Sequence, residues 1–269
     1  MGDRGREAGD ETGDGAGDAA GRVTDGVATG ATEHETGDAS ARAVLASVWP
    51  GALLVLVGVA GFVLLLDAVL DQEDLWRLDD PLLAWMVAHR TPVATGVLTV
   101  VTTVSGPFVL PVLVAVGCVV WARRTGTWWE PGLLAGAMVL ATLVSTVLKA
   151  VIARPRPPDV SMVVAGVERS FSFPSGHTIG AATLVLVGGY LVWHRHHDPR
   201  VLAVWVVASV VVIGAVALSR LYLGYHFLTD VLAGLSLAVA VLGVVVTVSR
   251  VHDLRRPRPQ DARDAEDSS

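Results

Sequence analysis

The sequence predicts an all-α polytopic membrane protein built as a bundle of six transmembrane helices, and three observations lead to this prediction. Hydrophobic residues make up 52% of the 269 residues, and the mean hydropathy is +0.55. The apolar residues form blocks long enough for a helix to cross the hydrocarbon core of a bilayer, which takes about 20 residues. Charged residues concentrate between these blocks, because a charge inside the hydrocarbon is costly.

Residues 1–42 differ from the rest of the chain. Ten acidic side chains and four arginines give this segment a net charge of −6, which is the net charge of the whole chain. The segment has no aromatic residue and few aliphatic ones, so we expect a disordered cytoplasmic tail. We divide the remainder into a six-span domain over 43–249 and a C-terminal cytoplasmic tail over 250–269. The acidic composition carries no information about the substrate, because the charges of 43–269 balance.

Six apolar segments in 43–249 are predicted to span the membrane. Ser105-Gly106-Pro107 interrupts the second apolar block, so we expect that span to have a kinked or re-entrant start. The preceding segment, Pro81–Thr95, is amphipathic and is expected to lie at the membrane surface. The predicted spans are Val44–Leu66, Val101–Trp121, Gly132–Leu148, Thr178–Trp193, Val201–Leu218 and Val231–Val248.

The distribution of arginines predicts the orientation of the bundle in the plasma membrane. Short cytoplasmic loops carry an excess of Lys and Arg. Six spans place both termini on one side, and the span ends on that side carry most of the arginines. We therefore expect cytoplasmic termini, and the polar segments around Lys149 and Arg220 then face outward. The arginines on the predicted cytoplasmic side are Arg42, Arg123, Arg124, Arg195, Arg200, Arg250, Arg255, Arg256 and Arg258.

Three cations follow the third span in close succession. Lys149, Arg154 and Arg156 lie within eight positions, interleaved with prolines that end the helix and stiffen the backbone. A cluster of cations at the outer end of a span is typical of an anion site. A basic membrane anchor is the alternative, although it would be unusual on the outer side.

A second polar patch precedes the fourth span. Ser175 and Gly176 are expected at a helix N-terminus, where free backbone N–H groups and the helix dipole favour an oxyanion. His177 follows directly and could donate a proton. A simple helix cap beside an incidental histidine is the structural alternative.

The third patch lies between the fifth and sixth spans and contains Arg220, His226 and Asp230. If the chain is helical from Tyr225 onward, His226 and Asp230 lie one turn apart on the same face. Asp230 could then accept a hydrogen bond from one ring nitrogen of His226 and leave the other nitrogen free as a nucleophile or base. The alternative is a structural pair that neutralises two buried polar groups. All three patches lie on the outer side, and together they indicate a phosphate site without a metal.

The spacing of these patches resembles the type 2 phosphatidic-acid phosphatase superfamily of membrane lipid phosphate phosphatases. The resemblance covers about Pro81–Val248, and the three motifs are intact in order and spacing. They read Lys149-x6-Arg156-Pro157, Pro174-Ser175-Gly176-His177 and Ser219-Arg220-x5-His226-x3-Asp230.

The resemblance implies a role for each motif position. His226 would attack the phosphorus and form a phosphohistidine, Asp230 would orient His226, and His177 would protonate the leaving oxygen and later activate water. Arg154 lies inside the first motif but not at a signature position, so no role is assigned to it. The residues expected to bind the phosphate are Lys149, Arg156, Ser175, Gly176 and Arg220.

The implied function is metal-independent hydrolysis of a lipid phosphate or diphosphate at the bilayer surface, with no cofactor and no nucleic acid. Candidate substrates of the family are undecaprenyl diphosphate, phosphatidylglycerophosphate, phosphatidic acid and diacylglycerol pyrophosphate. The alternative is a non-catalytic membrane protein of the same fold that flips lipids or acts as a scaffold. Intact motifs argue against that alternative. A metal site at the His194–His197 turn is disfavoured because the turn lies on the predicted cytoplasmic side without a cysteine partner. An oxidising haloperoxidase is disfavoured because relatives of that type are typically soluble, and a transporter because the charges lie at span ends.

Overall fold

The structure is a computed structural model that describes residues 17–255 except 165, 167 and 169, with side chains from residue 44 onward. Eight α-helices and two short 3-10 helices, Asp74–Leu78 and Asp159–Ser161, account for most of this part of the chain. The α-helices are α1 (Gly17–Asp71), α2 (Asp79–Ala88), α3 (Pro92–Val104), α4 (Val109–Thr125), α5 (Trp129–Ile152), α6 (Gly176–His196), α7 (Pro199–Tyr222) and α8 (Leu228–Arg255).

The predicted all-α membrane fold is confirmed. Five helical segments are long and apolar enough to cross a membrane, and the bent pair of α3 and α4 supplies the sixth when it is counted as one span. The axes of α3 and α4 differ by 54°. The break falls at Ser105–Phe108, where the sequence predicts a kink.

The start of the second span lies earlier than predicted. We expected Pro81–Thr95 to be one surface segment, but it divides between α2 and the first turn of α3. Thr91 caps α3, because its Oγ1 accepts a hydrogen bond from the backbone N–H of Ala94 (3.3 Å), and Pro92 occupies the first helical position. This combination of cap and proline is a common helix start.

The N-terminal tail also differs from the prediction where the structure describes it. Residues 17–42 continue α1 as a helix, whereas disorder was expected for 1–42. Extending an existing helix requires only propagation, which is much easier than nucleation. The chain divides into two compact units between Ser47 and Val48, and the domain boundaries drawn from the sequence stay a prediction. Residues 1–16 and 256–269 lie outside the described part, and the cytoplasmic placement of both tails stays a prediction.

Helix α6 lies at the centre of the bundle and packs against α5, α7 and α8. Close approach of α1 to α8 depends on glycine at position 243, where an added Cβ would lie 2.6 Å from the carbonyl oxygen of Gly51. At one end of the bundle, Glu130 of α5 pairs with Arg195 of α6 (3.9 Å), and His194 of α6 pairs with Asp253 of α8 (3.0 Å). The three predicted motifs lie at the opposite end of the same helices.

Candidate active site

His226 lies in the loop between α7 and α8, with only 1% of its side chain exposed. Two backbone N–H groups of this loop, from Tyr225 and His226, donate to the carbonyl oxygen of Arg220 at 3.0 and 3.2 Å. Gly224 allows the turn because its φ is +78°, a left-handed value that glycine adopts readily. The turn places the imidazole of His226 at the wall of a cavity.

The predicted contact between His226 and Asp230 forms, but not on one helix face as expected. Helix α8 begins at Leu228, so His226 precedes it. The carboxylate of Asp230 reaches back over the first turn, and its Oδ2 accepts the backbone N–H of Phe227 at 2.9 Å. The same oxygen lies 3.2 Å from Nδ1 of His226. Helix-start capping by an acidic side chain therefore produces the contact that helical spacing predicted.

Ser172 completes this side of the imidazole, and sequence reasoning missed it. Its hydroxyl donates a short hydrogen bond to Oδ2 of Asp230 and lies 3.3 Å from Nδ1 of His226. The side chains of Ser172 and Asp230 are fully buried. Since Asp230 accepts from Nδ1, the arrangement favours the tautomer with the proton on Nδ1 and a lone pair on Nε2.

The Nε2 side of His226 faces cations. Nη1 of Arg156 lies 3.3 Å from Nε2 and also donates to the carbonyl oxygen of Tyr225 at 2.8 Å. Burial lowers the pKa of His226 well below its usual value, and the positive charges of Arg220 and Arg156 lower the pKa further. Both effects favour the neutral form of the imidazole.

Glu168 connects two of the predicted phosphate ligands. Its carboxylate accepts from Nη2 of Arg156 at 3.0 Å and makes a short hydrogen bond with Nη2 of Arg220. Burial alone would raise the pKa of Glu168, but the two guanidinium groups outweigh it and lower the pKa to about 2. Among the residues that the structure describes, Nε of Arg220 has no hydrogen-bond partner although it is buried, so one donor of this arginine is unused.

The N-terminus of α6 forms the opposite wall. Gly176 and His177 line the cavity, as predicted for an oxyanion site at a helix start. Ser175 is fully buried behind them, and its hydroxyl accepts a hydrogen bond from the Thr178 hydroxyl at 3.0 Å. Its backbone N–H donates to the carbonyl oxygen of Asp230 at 2.9 Å, which ties the start of α6 to the start of α8.

Lys149 completes the cation cluster from the last turn of α5. Its Nζ donates to the carbonyl oxygens of Phe171 (2.6 Å) and Ser172 (3.3 Å), and the side chain lines the cavity. Among the residues that the structure describes, no group of three or more His, Cys, Asp or Glu side chains is placed to hold a metal ion.

The arrangement matches one protein family. The family model described as the PAP2 superfamily matches residues 131–253, which contain every predicted site residue. Phosphatidylglycerophosphatase B of Bacillus subtilis (strain 168) is 36% identical over 193 residues, which is 68% of this chain and 89% of that protein. This chain belongs to the PAP2 superfamily. The resemblance found in the three motifs is thereby confirmed.

Two further similar proteins are also phosphatases by name. Decaprenylphosphoryl-5-phosphoribose phosphatase of Mycolicibacterium smegmatis is 34% identical over 124 residues, covering 45% of this chain and 60% of that protein. The crystal structure of a transmembrane PAP2-type phosphatidylglycerolphosphate phosphatase from Bacillus subtilis superposes with a TM-score of 0.65 at 28% identity. That match covers 75% of this chain and 99% of the other. The chain is accordingly a membrane phosphatase.

The PAP2 motifs surround a cavity of about 490 Å³. Five of the eight predicted site residues line it directly, whereas Ser175, Arg220 and Asp230 lie behind its wall. The cavity continues past the polar end toward Met138, which lies eleven positions before Lys149 on α5, or roughly 16 Å along a helix. The five residues on the wall are Lys149, Arg156, Gly176, His177 and His226.

Sequence reasoning missed three polar residues of this PAP2 site. Glu168 and Ser172 belong to the long loop between α5 and α6, whose path is not readable from local spacing. Arg154 was left without a role, although it carries a buried guanidinium that contacts Asp230. Its position two residues before a predicted phosphate ligand was the one available signal.

Proposed function

We propose that this chain hydrolyses the phosphate of a membrane lipid through a phosphohistidine on Nε2 of His226. The observation that carries the proposal is that the two ring nitrogens of His226 have different surroundings. Nδ1 is occupied by Asp230 and Ser172, whereas Nε2 faces the cavity and the cation of Arg156. A neutral imidazole held in one tautomer beside strong anion ligands is suited to in-line attack on a phosphorus atom.

In the proposed first step, the Nε2 lone pair of His226 forms the N–P bond while the bond from phosphorus to the lipid oxygen breaks. His177 gives that oxygen a proton. In the second step His177 takes a proton from water, the water oxygen attacks phosphorus, and the N–P bond breaks to release inorganic phosphate. Asp230 stabilises the positive charge that develops on the imidazole in the first step.

The phosphate oxygens would be held by Lys149, Arg156, Arg220 and the backbone N–H of Gly176. The carboxylate of Glu168 now bridges two of these arginines. An incoming phosphate offers the same arginines more negative charge and more acceptor oxygens than the Glu168 carboxylate does. Ser175 would contribute through its place at the start of α6, and a direct hydroxyl contact to phosphate stays a prediction.

A lipid substrate is supported by the place of the site in the bundle. The cavity joins a cationic end to an apolar stretch along α5. Phosphatidylglycerophosphate is the first substrate to test because the relative that aligns over 68% of this chain is a phosphatidylglycerophosphatase. Undecaprenyl diphosphate and phosphatidic acid are the other candidates, and the arginine distribution supports an outward-facing site in the plasma membrane with cytoplasmic termini.

The test is phosphate release by the detergent-purified protein in excess EDTA. The panel contains phosphatidylglycerophosphate, phosphatidic acid and undecaprenyl diphosphate, and each is assayed with wild type, His226→Ala and His89→Ala. His89 is exposed near the same end of the bundle and serves as the matched control. We expect release that persists in His89→Ala and vanishes in His226→Ala. Folded wild-type protein without activity on any lipid would overturn the proposal and favour a non-catalytic role.

A further inference from the structure

Arg154 occupies a buried position directly behind the proposed nucleophile. It follows the end of α5 by two residues, and only 8% of its side chain is exposed. Nη1 donates to Oδ1 of Asp230 at 2.6 Å, and Nη2 donates to Oδ2 of Asp79 at 2.8 Å. Arg154 does not line the cavity, and both of its Nη atoms already donate to buried side chains of the protein.

The two oxygens of Asp230 have separate partners. Oδ1 receives Arg154, whereas Oδ2 receives the Ser172 hydroxyl and lies within hydrogen-bond distance of Nδ1 of His226. The hydrogen bond from Arg154 to Oδ1 therefore sets the plane of the carboxylate and directs Oδ2 at the imidazole of His226. The backbone of Arg154 contributes as well, because its carbonyl oxygen accepts the N–H of Ser172 at 2.9 Å.

Asp79 holds Arg154 from the other side. Its carboxylate is 2% exposed, and its two oxygens accept the backbone N–H (3.0 Å) and hydroxyl (2.6 Å) of Thr229 in the first turn of α8. An acidic group is favourable there because a helix N-terminus carries partial positive charge. The Thr229 hydroxyl also accepts from Nη1 of Arg154 at 2.7 Å, so all four side chains form one buried network.

The charges of this network decide what removal of Arg154 would do. Two buried carboxylates and one guanidinium carry a net charge of −1, which an imidazolium at His226 would balance. Without the guanidinium, two carboxylates would share a buried region with no cation between them. Their repulsion, and the loss of the hydrogen bond to Oδ1, would turn the carboxylate of Asp230 away from Nδ1 of His226.

We propose that Arg154 is a positioning residue for phosphoryl transfer. It anchors the carboxylate of Asp230 and fixes its orientation, and it acts on the phosphate only through His226. This inference rests on the proposed function of His226 as the nucleophile. It also gives Asp79 a role, because Asp79 fixes the far side of the guanidinium and links the surface helix α2 to the site.

The experiment compares kcat and KM of Arg154→Gln, Arg154→Gln/Asp79→Asn and Arg77→Gln in detergent, with the folded fraction of each measured by thermal unfolding. Arg77 is an exposed arginine paired with Glu73 on the surface and is the matched control. We expect Arg154→Gln to lower kcat about 100-fold, because small displacements of a reacting group cost that much. KM should stay within about threefold, because a residue that acts through the nucleophile changes the chemical step rather than binding.

The double variant separates positioning from a purely structural role. Replacing Asp79 by Asn removes the second carboxylate and restores the net charge of −1, so kcat should recover at least about tenfold relative to Arg154→Gln. A structural role would instead lower the folded fraction and leave kcat per folded molecule unchanged. Wild-type kcat in folded Arg154→Gln, or no recovery in the double variant, would overturn the inference.

Arg154→Lys decides the question if Arg154→Gln does not fold. Lysine keeps the charge but offers one donor group in place of a fork that spans two carboxylates. We expect Arg154→Lys to lower kcat relative to wild type at unchanged KM, and a kcat equal to wild type would contradict the inference. Absence of metal-independent activity in wild type and Arg77→Gln would instead count against the proposed function itself.

Discussion

The two edges of the His226 ring lie in different surroundings. The Nδ1 edge faces a wall in which Asp230, Ser172 and Arg154 are buried and hydrogen-bonded to one another. The Nε2 edge faces a cavity of about 490 Å³ that is lined by Lys149 and Arg156. In the proposed mechanism, the first region fixes the tautomer and orientation of the ring, and the second receives the anion. The proposed nucleophile would need both, because each region acts on a different nitrogen.

Asp230→Asn is the strongest test of the buried region. The amide cannot stabilise an imidazolium and can force the wrong tautomer, for which losses of about 10⁴-fold in kcat are known in histidine-based sites. We expect a loss of about 10³-fold to 10⁴-fold in kcat with little change in KM. Asp80→Asn is the control, because Asp80 is exposed on α2. A loss confined to KM would contradict the proposed role of the buried region.

Arg156→Lys tests the cavity region. Lysine keeps the charge but loses the planar fork that contacts Tyr225, Ser170 and Glu168. We expect kcat/KM to fall by about 10²-fold, which is typical for the loss of one oxyanion ligand. Steady-state kinetics on a lipid phosphate in mixed micelles would measure it. Activity equal to wild type would show that the phosphate does not rest on this guanidinium.

Ser172→Ala should have a smaller effect within the buried region. The substitution removes one donor to Oδ2 of Asp230 and leaves the contact of that oxygen with His226 in place. The loss of one hydrogen bond to a charged group corresponds to about tenfold in kcat. Ser161→Ala, in the same loop, is the control. If Ser172→Ala lost as much activity as Asp230→Asn, the serine would have to contact the reacting atoms directly.

Glu168→Gln tests the ion pairs beside the cavity through the thermal stability of the protein rather than through its catalytic rate. The pKa of Glu168 is lowered to about 2, below an ordinary value of about 4.3, so its ion pairs stabilise the folded state at neutral pH. That contribution is fully present above about pH 4.3 and is lost as the pH falls toward about 2. The Tm of wild type should exceed that of Glu168→Gln by about 3 °C at pH 6, and the difference should shrink as the pH falls. A pH-independent difference would contradict the ion-pair account.

The sequence was most informative for the site residues that belong to the three short motifs. Lys149, Arg156, His177 and His226 were predicted from their residue types, their positions at span ends and the motif resemblance, and the structure places them around one cavity. Spans were predictable because apolar length has a direct physical meaning in a bilayer. The bend between α3 and α4 was predicted as a kink at Ser105–Pro107. The kink was expected at the start of the span, whereas it lies between two helices of that span.

Other parts of the site depend on tertiary packing that no local pattern encodes. Glu168 reaches Arg220 across 52 residues, and Asp79 reaches Thr229 across 150. The contact between His226 and Asp230 was predicted from helical spacing, yet it forms through a capping carboxylate at the start of α8. Residue type and position suggested the correct partners there, and the folded backbone supplied a different geometry.

The most direct measurement is to identify which nitrogen carries phosphate. His177→Ala should accumulate the intermediate with an aryl phosphate, whose leaving group needs no proton, because the base for its hydrolysis is missing. Acid-labile, alkali-stable label on a peptide containing His226, assigned by ³¹P NMR to Nε2, is the predicted result. Phosphate on Nδ1, on another residue, or on no residue while phosphate is still released would contradict the account.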